Sequence, residues 1–218
     1  MLNSNVAAKL GISGDTLKNV KNIIFDLGNV IVDIHYDRTL EAFRKLGFSN
    51  FDKLYSLYKQ TDLFTNLETG KISGDEFCKG LQQNGLELSN QDIKVAWSLM
   101  IGDLTVETYQ LLKNIRKSYR TFLLSNTNEI HIDHFTKVIK DDFGKDILPE
   151  MFEKLYYSHS VHMRKPNIEI YTHVLNDAGL KPEETIFVDD LAENIEASKK
   201  AGILGYHLEK EKIQELFN

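Results

Sequence analysis

Four short segments of the chain carry residue types that together suit phosphoryl transfer. Asp26 follows the apolar run NIIF, Ser125 follows TFLL, Lys165 lies in MRKPNIEIY, and the pair Asp189–Asp190 follows TIFV. A carboxylate can act as a nucleophile, a hydroxyl and an ammonium group can bind phosphate oxygens, and paired carboxylates can bind a metal ion. Each segment alone is also typical of a turn or a helix cap, so the prediction depends on the whole set.

The three carboxylates of this set need a counter-charge if they lie together. Asp189 and Asp190 are adjacent, and with Asp26 they would repel one another unless a cation binds. Mg²⁺ suits them because it is a hard ion that takes oxygen ligands and can bridge to phosphate. We therefore expect Mg²⁺ as the cofactor, and we expect Asn194 to orient this loop by hydrogen bonding.

The apolar runs that precede these residues have the character of buried parallel strands, because they are short, continuous and rich in β-branched and aromatic residues. They occupy 22–25, 121–124, 155–157, 186–188 and 203–207. Helical patterns lie between them at 106–116, 167–178 and 192–201. This alternation predicts an α/β fold, a Rossmann-like doubly wound parallel sheet. Such sheets bind ligands at the carboxyl ends of their strands, where Asp26, Ser125 and Asp189–Asp190 would lie.

A long stretch between the first two predicted strands has helical periodicity instead. Its segments are TLEAFRKLGF, FDKLYSLYKQTDLF, ISGDEFCKGLQQNG and SNQDIKVAWSLM, with Ser73 and either Ser89 or Asn90 as N-caps. The stretch is too long for an ordinary crossover connection. We therefore expect a discontinuous catalytic core (20–36 and 104–218), an inserted helical cap (37–103) and an N-terminal extension (1–19).

Composition narrows the function classes. The chain has 218 residues and a net charge of −6, which disfavours nucleic acid as a partner because phosphate backbones recruit basic surfaces. No apolar stretch approaches the roughly 20 residues of a membrane span. The single cysteine, Cys78, favours a reducing, cytoplasmic setting. The tail LEKEKIQELF is expected to form a solvated amphipathic helix that could pair with a second subunit, so monomer and homodimer both stay open.

The four motifs together resemble those of the haloacid dehalogenase-like (HAD) hydrolases, and within them the phosphatases with a small helical cap. FDLGNVIVD, LLSNT, MRKPNIEIY and FVDDLAENIEAS resemble the first to the fourth motif, in the family's order. The resemblance implies a Mg²⁺-dependent phosphatase that hydrolyses small phosphorylated metabolites, such as sugar phosphates, through an aspartyl-phosphate on Asp26.

The same resemblance implies roles for the other site residues. Gly28 would bind the metal through its carbonyl and Asp190 would bind it directly, while Asp189 would act on the metal indirectly or through water. Ser125, Asn126 and Lys165 would bind the phosphate. In the cap, the segment Glu68-Thr69-Gly70-Lys71 joins two helical patterns, and Glu68 is expected to contribute to substrate selection, although a plain helix–helix turn is the alternative.

Gly28 departs from the pattern of many family members, which carry a second aspartate there as general acid and base. DLGNV resembles a subgroup of sugar-phosphate phosphatases that act on glucose 1-phosphate and share this gap. A missing acid typically forfeits about 10²–10⁴-fold in rate where the leaving group needs a proton. We therefore expect no phosphomutase activity. We further expect either a preference for better leaving groups, such as hexose 1-phosphates and acyl phosphates, or a proton supplied by His35 or Glu68.

Other readings stay open at this point. A haloacid dehalogenase also lacks the second aspartate but needs no metal, so Asp189–Asp190 argue against it. A phosphonatase would need a cap lysine, for which Lys71 and Lys45 are nominal candidates. A phosphoreceiver domain places its acidic pair before the phosphoacceptor, and a catalytically impaired binding module would explain Gly28. His131 and His134 are spaced for a metal but have no further ligand nearby, so a structural role is expected.

Overall fold

A parallel β-sheet forms the centre of the protein. The computed structural model describes residues 1–48, 51, 62–83 and 87–217, and these contain a five-stranded sheet in the order β3-β2-β1-β4-β5. All neighbouring strands pair in parallel. The strands are β1 (Asn22–Phe25), β2 (Arg120–Ser125), β3 (Lys154–Tyr157), β4 (Thr185–Asp189) and β5 (Leu204–His207). Each matches a predicted apolar run to within one residue at either end, which confirms the predicted sheet.

Helices connect the strands and cover both faces of the sheet. They are α1 (Ser4–Leu10), α2 (Gly14–Lys18), α3 (Tyr36–Lys45), α4 (Asp62–Glu68), α5 (Gly74–Gln83), α6 (Asn90–Ser98), α7 (Val106–Ile115), α8 (Glu129–Phe143), α9 (Leu148–Met151), α10 (Ser158–Val161), α11 (Ile168–Ala178) and α12 (Ala192–Lys200). Helix α11 begins at Ile168, two residues after Pro166, with Asn167 as its N-cap. Within the described part of the chain, no helix is both long and apolar enough to cross a membrane.

Alternate residues of each strand enter different hydrophobic cores. Ile23 and Phe25 of β1 belong to one cluster, and Ile24 belongs to the other. Because helices bury both faces, the strands read as continuous apolar runs and not as alternating ones. The polar residues that follow the strands are therefore the first groups along each strand that can reach a ligand.

Helices α3 to α6, which we call the helical insert, lie between β1 and β2 and have a core of their own. Phe77 and Trp97 are buried in this cluster, and Phe51 also belongs to it. Ser73 caps α5 and Ser89 caps α6, as expected. The segment FDKLYSLYKQTDLF falls mostly on residues outside the described ones.

Two chain segments join the insert to the sheet, and they run side by side. Ile34 and Ile101 form an antiparallel bridge. On either side of it, the His35 N–H donates to the carbonyl of Met100 at 2.7 Å and the Gly102 N–H donates to that of Asp33 at 2.9 Å. The incoming and outgoing segments are therefore hydrogen-bonded to each other.

The chain termini pack together, and here one prediction is wrong. The predicted C-terminal amphipathic helix is not formed: the segment contains a short 3-10 helix (Ile213–Leu216) whose two end residues are buried in the core cluster that also holds Val6 of α1. Leu2 and Phe217 form an antiparallel bridge. The apolar residues of the tail thus have a partner within the chain, the N-terminal helix, and do not form a free helical face.

Gly70 lies at a close approach of the helical insert to the core. It has φ +64°, and a Cβ atom there would lie 2.1 Å from the carbonyl oxygen of His159. The neighbouring carbonyl of Thr69 is hydrogen-bonded to Nδ1 of His162 at 2.9 Å. Only glycine combines this φ with this contact, so Gly70 allows the turn after α4 to lie against α10.

We expect Gly70→Ala to destabilise the protein more than Gly144→Ala. Gly144 also has positive φ, +71°, but a Cβ there would meet nothing within 4 Å. Gly144→Ala should therefore lower the free energy of unfolding only by the cost of a left-handed backbone at alanine, about 1–2 kcal/mol. Gly70→Ala should lower it by a further ~1–3 kcal/mol, because the new methyl group would be overpacked. Urea unfolding of both variants measures the difference, and equal losses would contradict the close-contact interpretation.

Candidate active site

A buried lysine joins two of the predicted carboxylates at the carboxyl edge of the sheet. The Lys165 Nζ lies 2.7 Å from Oδ1 of Asp26 and 2.6 Å from Oδ2 of Asp189. The lysine side chain is 2% exposed, and Asp189 is fully buried. The sheet therefore brings Asp26, at the end of β1, within one ammonium group of Asp189, at the end of β4.

Burial and charge act in opposite directions on these groups. The pKa of Asp26 is raised to about 6, because burial raises it by more than Lys165 lowers it, and the charge of Asp189 also raises it. Burial disfavours the charged form of Lys165, but the two carboxylates outweigh it, so the pKa of Lys165 is raised. The lysine is thus held as a cation whose charge is shared by two carboxylates.

Asp189 is surrounded by hydrogen-bond donors. Its carboxylate accepts bonds from the Leu191 N–H at 2.8 Å and from Nδ2 of Asn194 at 2.9 and 3.0 Å, in addition to Lys165. The bond from Asn194 is the one expected from the sequence. Asp190 accepts a bond from Nδ2 of Asn29 at 2.9 Å. The two adjacent aspartates therefore differ: Asp189 is saturated by the protein, and Asp190 lines the cavity described below.

The carboxylates form a group that fits a hard divalent cation. Asp26, Asp189 and Asp190 each offer an oxygen, and these oxygens lie within 4.8 Å of one another. An all-oxygen donor set suits Mg²⁺. Because Asp189 already accepts bonds from several protein donors, Asp26 and Asp190 fit the role of direct ligands better, and the backbone of Gly28 lies beside them in the same cavity.

Asn29 shapes the loop after Asp26, and the sequence analysis did not identify it. It has φ +54°, a left-handed conformation that asparagine tolerates better than most residues. Its Oδ1 accepts from the Ile34 N–H at 3.2 Å, while its Nδ2 donates to Asp190. The asparagine after Gly28 in DLGN was the available signal.

The side chains of Ser125 and Asn126 differ in their contacts. Ser125 is buried and lines the cavity. Asn126 also lines it, but its Nδ2 donates to the Lys165 carbonyl at 2.8 Å and its Oδ1 accepts from the Lys165 N–H at 2.9 Å. This pair of bonds holds the backbone of the buried lysine, so the amide of Asn126 is engaged with the protein.

A cavity of about 440 Å³ lies between the sheet edge and the helical insert. The predicted residues that line it are Asp26, Gly28, Glu68, Ser125, Asn126, Lys165 and Asp190. The insert contributes Phe64, Thr65 and Trp97 as well as Glu68. Glu68 thus reaches the cavity, where its Oε2 lies 3.2 Å from Nη2 of Arg164. His35, the other predicted proton donor, is not among the described residues that line the cavity.

His131 joins the core to the insert and does not have the geometry of a metal ligand. Its Nε2 lies 3.1 Å from the Trp97 carbonyl, and its Nδ1 lies 3.2 Å from Nδ2 of Asn128. Since a carbonyl accepts and an amide N–H donates, the ring carries its proton on Nε2 and is neutral. Burial lowers the pKa of His131 to about 4. The expected structural role agrees with these contacts.

A scan against protein-family models matches residues 20–202 to the haloacid dehalogenase-like hydrolases. A D-ribitol-5-phosphate phosphatase of Bacteroides thetaiotaomicron is 39% identical over 184 residues, which cover 84% of this chain and 89% of that protein. The match therefore includes nearly the whole of both chains.

Solved structures of HAD family enzymes are also similar to this chain over most of its length. A HAD family enzyme of Bacteroides thetaiotaomicron is 33% identical with a TM-score of 0.85, over 91% of this chain and 98% of that one. The wild-type form of that enzyme in complex with magnesium and inorganic phosphate has a TM-score of 0.82, also at 33% identity, over 91% of this chain and 100% of that one. The similarity thus extends through both the sheet and the helical insert.

We expect the contribution of His131 to the free energy of unfolding to fall as the pH is lowered from 6.5 to 4. Its folded pKa of about 4 lies below the ordinary 6.5, so the unfolded chain binds a proton first in this window and folding is disfavoured. Complete loss would amount to about 3 kcal/mol. Urea unfolding at several pH values measures this, and His131→Gln, which keeps a donor for the Trp97 carbonyl, should flatten the dependence. An unchanged slope in His131→Gln would assign the pH effect to other groups.

Proposed function

This chain belongs to the haloacid dehalogenase-like hydrolases, and from that membership we propose that it is a Mg²⁺-dependent phosphatase of small phosphorylated metabolites, with sugar or polyol phosphates as its substrates. The observation that carries the proposal is the buried Lys165 between Asp26 and Asp189, at the base of a cavity large enough for a small metabolite. The 39% identical D-ribitol-5-phosphate phosphatase supports the substrate class. The solved enzyme in complex with magnesium and inorganic phosphate supports the metal.

In the proposed reaction, a carboxylate oxygen of Asp26 attacks phosphorus. The bond from Asp26 to phosphorus forms as the bond from phosphorus to the alcohol oxygen breaks, and that oxygen takes a proton from solvent as the alcohol leaves. Water then attacks phosphorus and gives up a proton to solvent. The bond from phosphorus to Asp26 breaks, which releases inorganic phosphate and restores the carboxylate. Lys165 and the hydroxyl of Ser125 would bind phosphate oxygens and stabilise the charge that develops on them. Asn126 would contribute by holding the backbone of Lys165, and its own N–H remains a candidate phosphate donor.

Magnesium would be held by carboxylate oxygens of Asp26 and Asp190 and by the carbonyl of Gly28. When bound, it supplies positive charge that offsets the repulsion between the nucleophile and the phosphate dianion. Asp189 would act indirectly, because its oxygens already accept bonds from Lys165, Leu191 and Asn194.

Residues 37–103 would act as the cap over this site. An in-line displacement places the leaving alcohol opposite the attacking oxygen of Asp26, away from the sheet edge. That direction leads toward the helical insert, where Glu68 and the apolar side chains of Phe64 and Trp97 line the cavity. The insert would therefore select the alcohol portion, while the sheet edge binds the phosphate.

Gly28 leaves no acid at the position that many relatives use for proton transfer, and Ile34 occupies the adjacent space. A Cβ atom at Gly28 would lie 2.9 Å from Cγ1 of Ile34. We propose that this arrangement favours esters whose alcohols leave readily, with Glu68 as the acidic group of the cavity that can assist others.

Phosphate release should require magnesium and Asp26. We expect turnover of sugar and polyol phosphates with Mg²⁺, loss of turnover in EDTA, and recovery on addition of excess Mg²⁺. Asp26→Asn keeps the shape of the side chain but removes the nucleophile, so its activity should fall to background. Phosphate release is measured colorimetrically over a panel of sugar 1-phosphates, sugar 5- and 6-phosphates, aryl phosphates and acyl phosphates. Turnover that persists in Asp26→Asn, or no release across the panel, would refute the proposal.

Gly28→Asp should raise the turnover of alkyl esters relative to aryl and acyl esters. The new carboxyl group can protonate a poor leaving group, an effect typically of about 10²–10⁴-fold when the acid is well placed. Because Ile34 is in the way, the substitution is best combined with Ile34→Ala. Gly28→Asn/Ile34→Ala is the matched control, since it has the same shape without an acid. Leaving-group preferences that are the same in the two double variants would contradict the proposed consequence of Gly28.

A further inference from the structure

Two residues that have no role in the proposed reaction hold Asp190, the candidate metal ligand that follows β4. Nδ2 of Asn29 donates to Oδ2 of Asp190 at 2.9 Å. Nε2 of His207 lies 2.9 Å from the carbonyl oxygen of Asp190, and because a carbonyl oxygen only accepts, the ring donates this bond. One bond fixes the carboxylate and the other fixes the main chain, so the protein itself defines where the oxygens of Asp190 lie.

The amide of Asn29 is fixed by further contacts of the same residue. The backbone N–H of Asn29 donates to the Val32 carbonyl at 2.7 Å, and its Oδ1 accepts from the Ile34 N–H at 3.2 Å. A backbone N–H only donates and a carboxylate only accepts, so these contacts settle which end of the amide faces Asp190. Asn29 also has φ +54°, and His162 is the other non-glycine residue with positive φ in the described ranges. Such backbone conformations cost free energy and cluster at functional sites.

His207 reaches Asp190 from the neighbouring strand. It is the last residue of β5 and pairs in register with Asp189 of β4, and the Leu208 N–H donates to the Asp189 carbonyl at 2.9 Å. The sheet and the histidine ring thus hold two consecutive carbonyl groups, those of Asp189 and Asp190. The family match ends at residue 202, so His207 lies beyond the matched segment.

The bond from Asn29 occupies one of the two oxygens of the Asp190 carboxylate. Oδ2 accepts it, and Oδ1 accepts no hydrogen bond from the described residues, which leaves that oxygen for a cation. Asp189 differs, because Lys165 and Asn194 both donate to it. Hydrogen bonds to a metal-binding carboxylate orient it, and loss of such a partner typically costs about 10–100-fold in metal affinity.

We propose that Asn29 and His207 are positioning residues, which hold Asp190 in the place where it binds Mg²⁺ and so set the affinity of the site for the metal. This inference rests on the metal site of the proposed phosphatase. Asn29 orients the carboxylate, and His207 fixes the main chain from which it projects. Because Asn29 is exposed, water can replace its side-chain bonds, so its loss should weaken metal binding with little loss of folding stability.

Asn29→Gly tests the amide alone, because glycine adopts positive φ without a steric cost. We expect the Kd for Mn²⁺, which takes the same oxygen ligands as Mg²⁺, to rise by about 10–100-fold. The electron paramagnetic resonance signal of free Mn²⁺ measures binding without substrate or turnover. Gly144→Ala is the control, since Gly144 has positive φ but does not line the cavity, and its Kd should equal that of the wild type.

The Mg²⁺ dependence of turnover separates positioning from a general disturbance of the site. In Asn29→Gly the Mg²⁺ concentration for half-maximal turnover should rise about 10–100-fold. The kcat at saturating Mg²⁺ should change by less than about 3-fold, because the nucleophile and the phosphate ligands are kept. A fall in kcat with an unchanged Mg²⁺ dependence would overturn the role of Asn29.

A matched pair of variants tests His207. His207→Gln keeps a side-chain N–H that can donate to the Asp190 carbonyl, whereas His207→Ala has none. The Kd for Mn²⁺ should rise by about 10-fold or more in His207→Ala and should be largely restored in His207→Gln. Equal Kd values in the two variants would show that the donor is irrelevant and would overturn the role of His207.

The same measurements distinguish this inference from the phosphatase function. If the wild type and Asn29→Gly bind Mn²⁺ equally and both release phosphate, the positioning role is refuted and the phosphatase stands. If the wild type binds Mn²⁺ more tightly than the variant but hydrolyses no ester, the positioning role stands and the phosphatase is refuted. If the wild type binds no Mn²⁺, the positioning role is refuted together with the metal site.

Discussion

The ammonium group of Lys165 is the interaction on which the site depends. It is buried between Asp26 and Asp189, at distances of 2.7 and 2.6 Å. Removing one partner from such a buried set leaves an uncompensated charge, which typically costs about 3–5 kcal/mol. The lysine therefore links the ends of β1 and β4 through charge, in addition to the hydrogen bonds of the sheet. In the proposed reaction, the same group would keep the carboxylate of Asp26 in place and provide a positive charge for an incoming phosphate.

The surroundings of Lys165 follow from the need to keep this cluster rigid. Asn126 binds both backbone groups of the lysine, and Asn194 donates to both oxygens of Asp189. Two neutral amides, one from the loop after β2 and one from the first turn of α12, thus orient the charged groups without altering their net charge. Some polar residues at the strand ends therefore hold other side chains in place, and this explains why not all of them line the cavity.

The sequence predicted the residues whose positions follow from local pattern. Asp26 and Ser125 end apolar runs, and parallel strands bring such ends to one edge, so their meeting could be expected before the structure was known. Lys165 lies outside any strand; its charge and its place before Pro166 predicted a role beside Asp26, but not its burial between Asp26 and Asp189. Asn29 was not identified, because its contacts with Asp190 and Ile34 depend on tertiary packing. The tail was wrongly expected to be a free amphipathic helix for a related reason: periodicity shows that Ile213 and Leu216 need a partner, but it does not show that α1 supplies one.

The bridge between Ile34 and Ile101 connects the insert with the loop that follows Asp26, so a movement of the insert would also affect that loop. Ile34 belongs to the connecting segment, yet its side chain abuts Gly28 and its N–H is held by Asn29, which also binds Asp190. The bridge that joins the two connecting segments is therefore also part of the cavity wall, since Ile34 and Ile101 both line the cavity. A rotation of the insert that moved Ile34 would also move the side chain that abuts Gly28, so it would change the cavity at the loop after Asp26 as well.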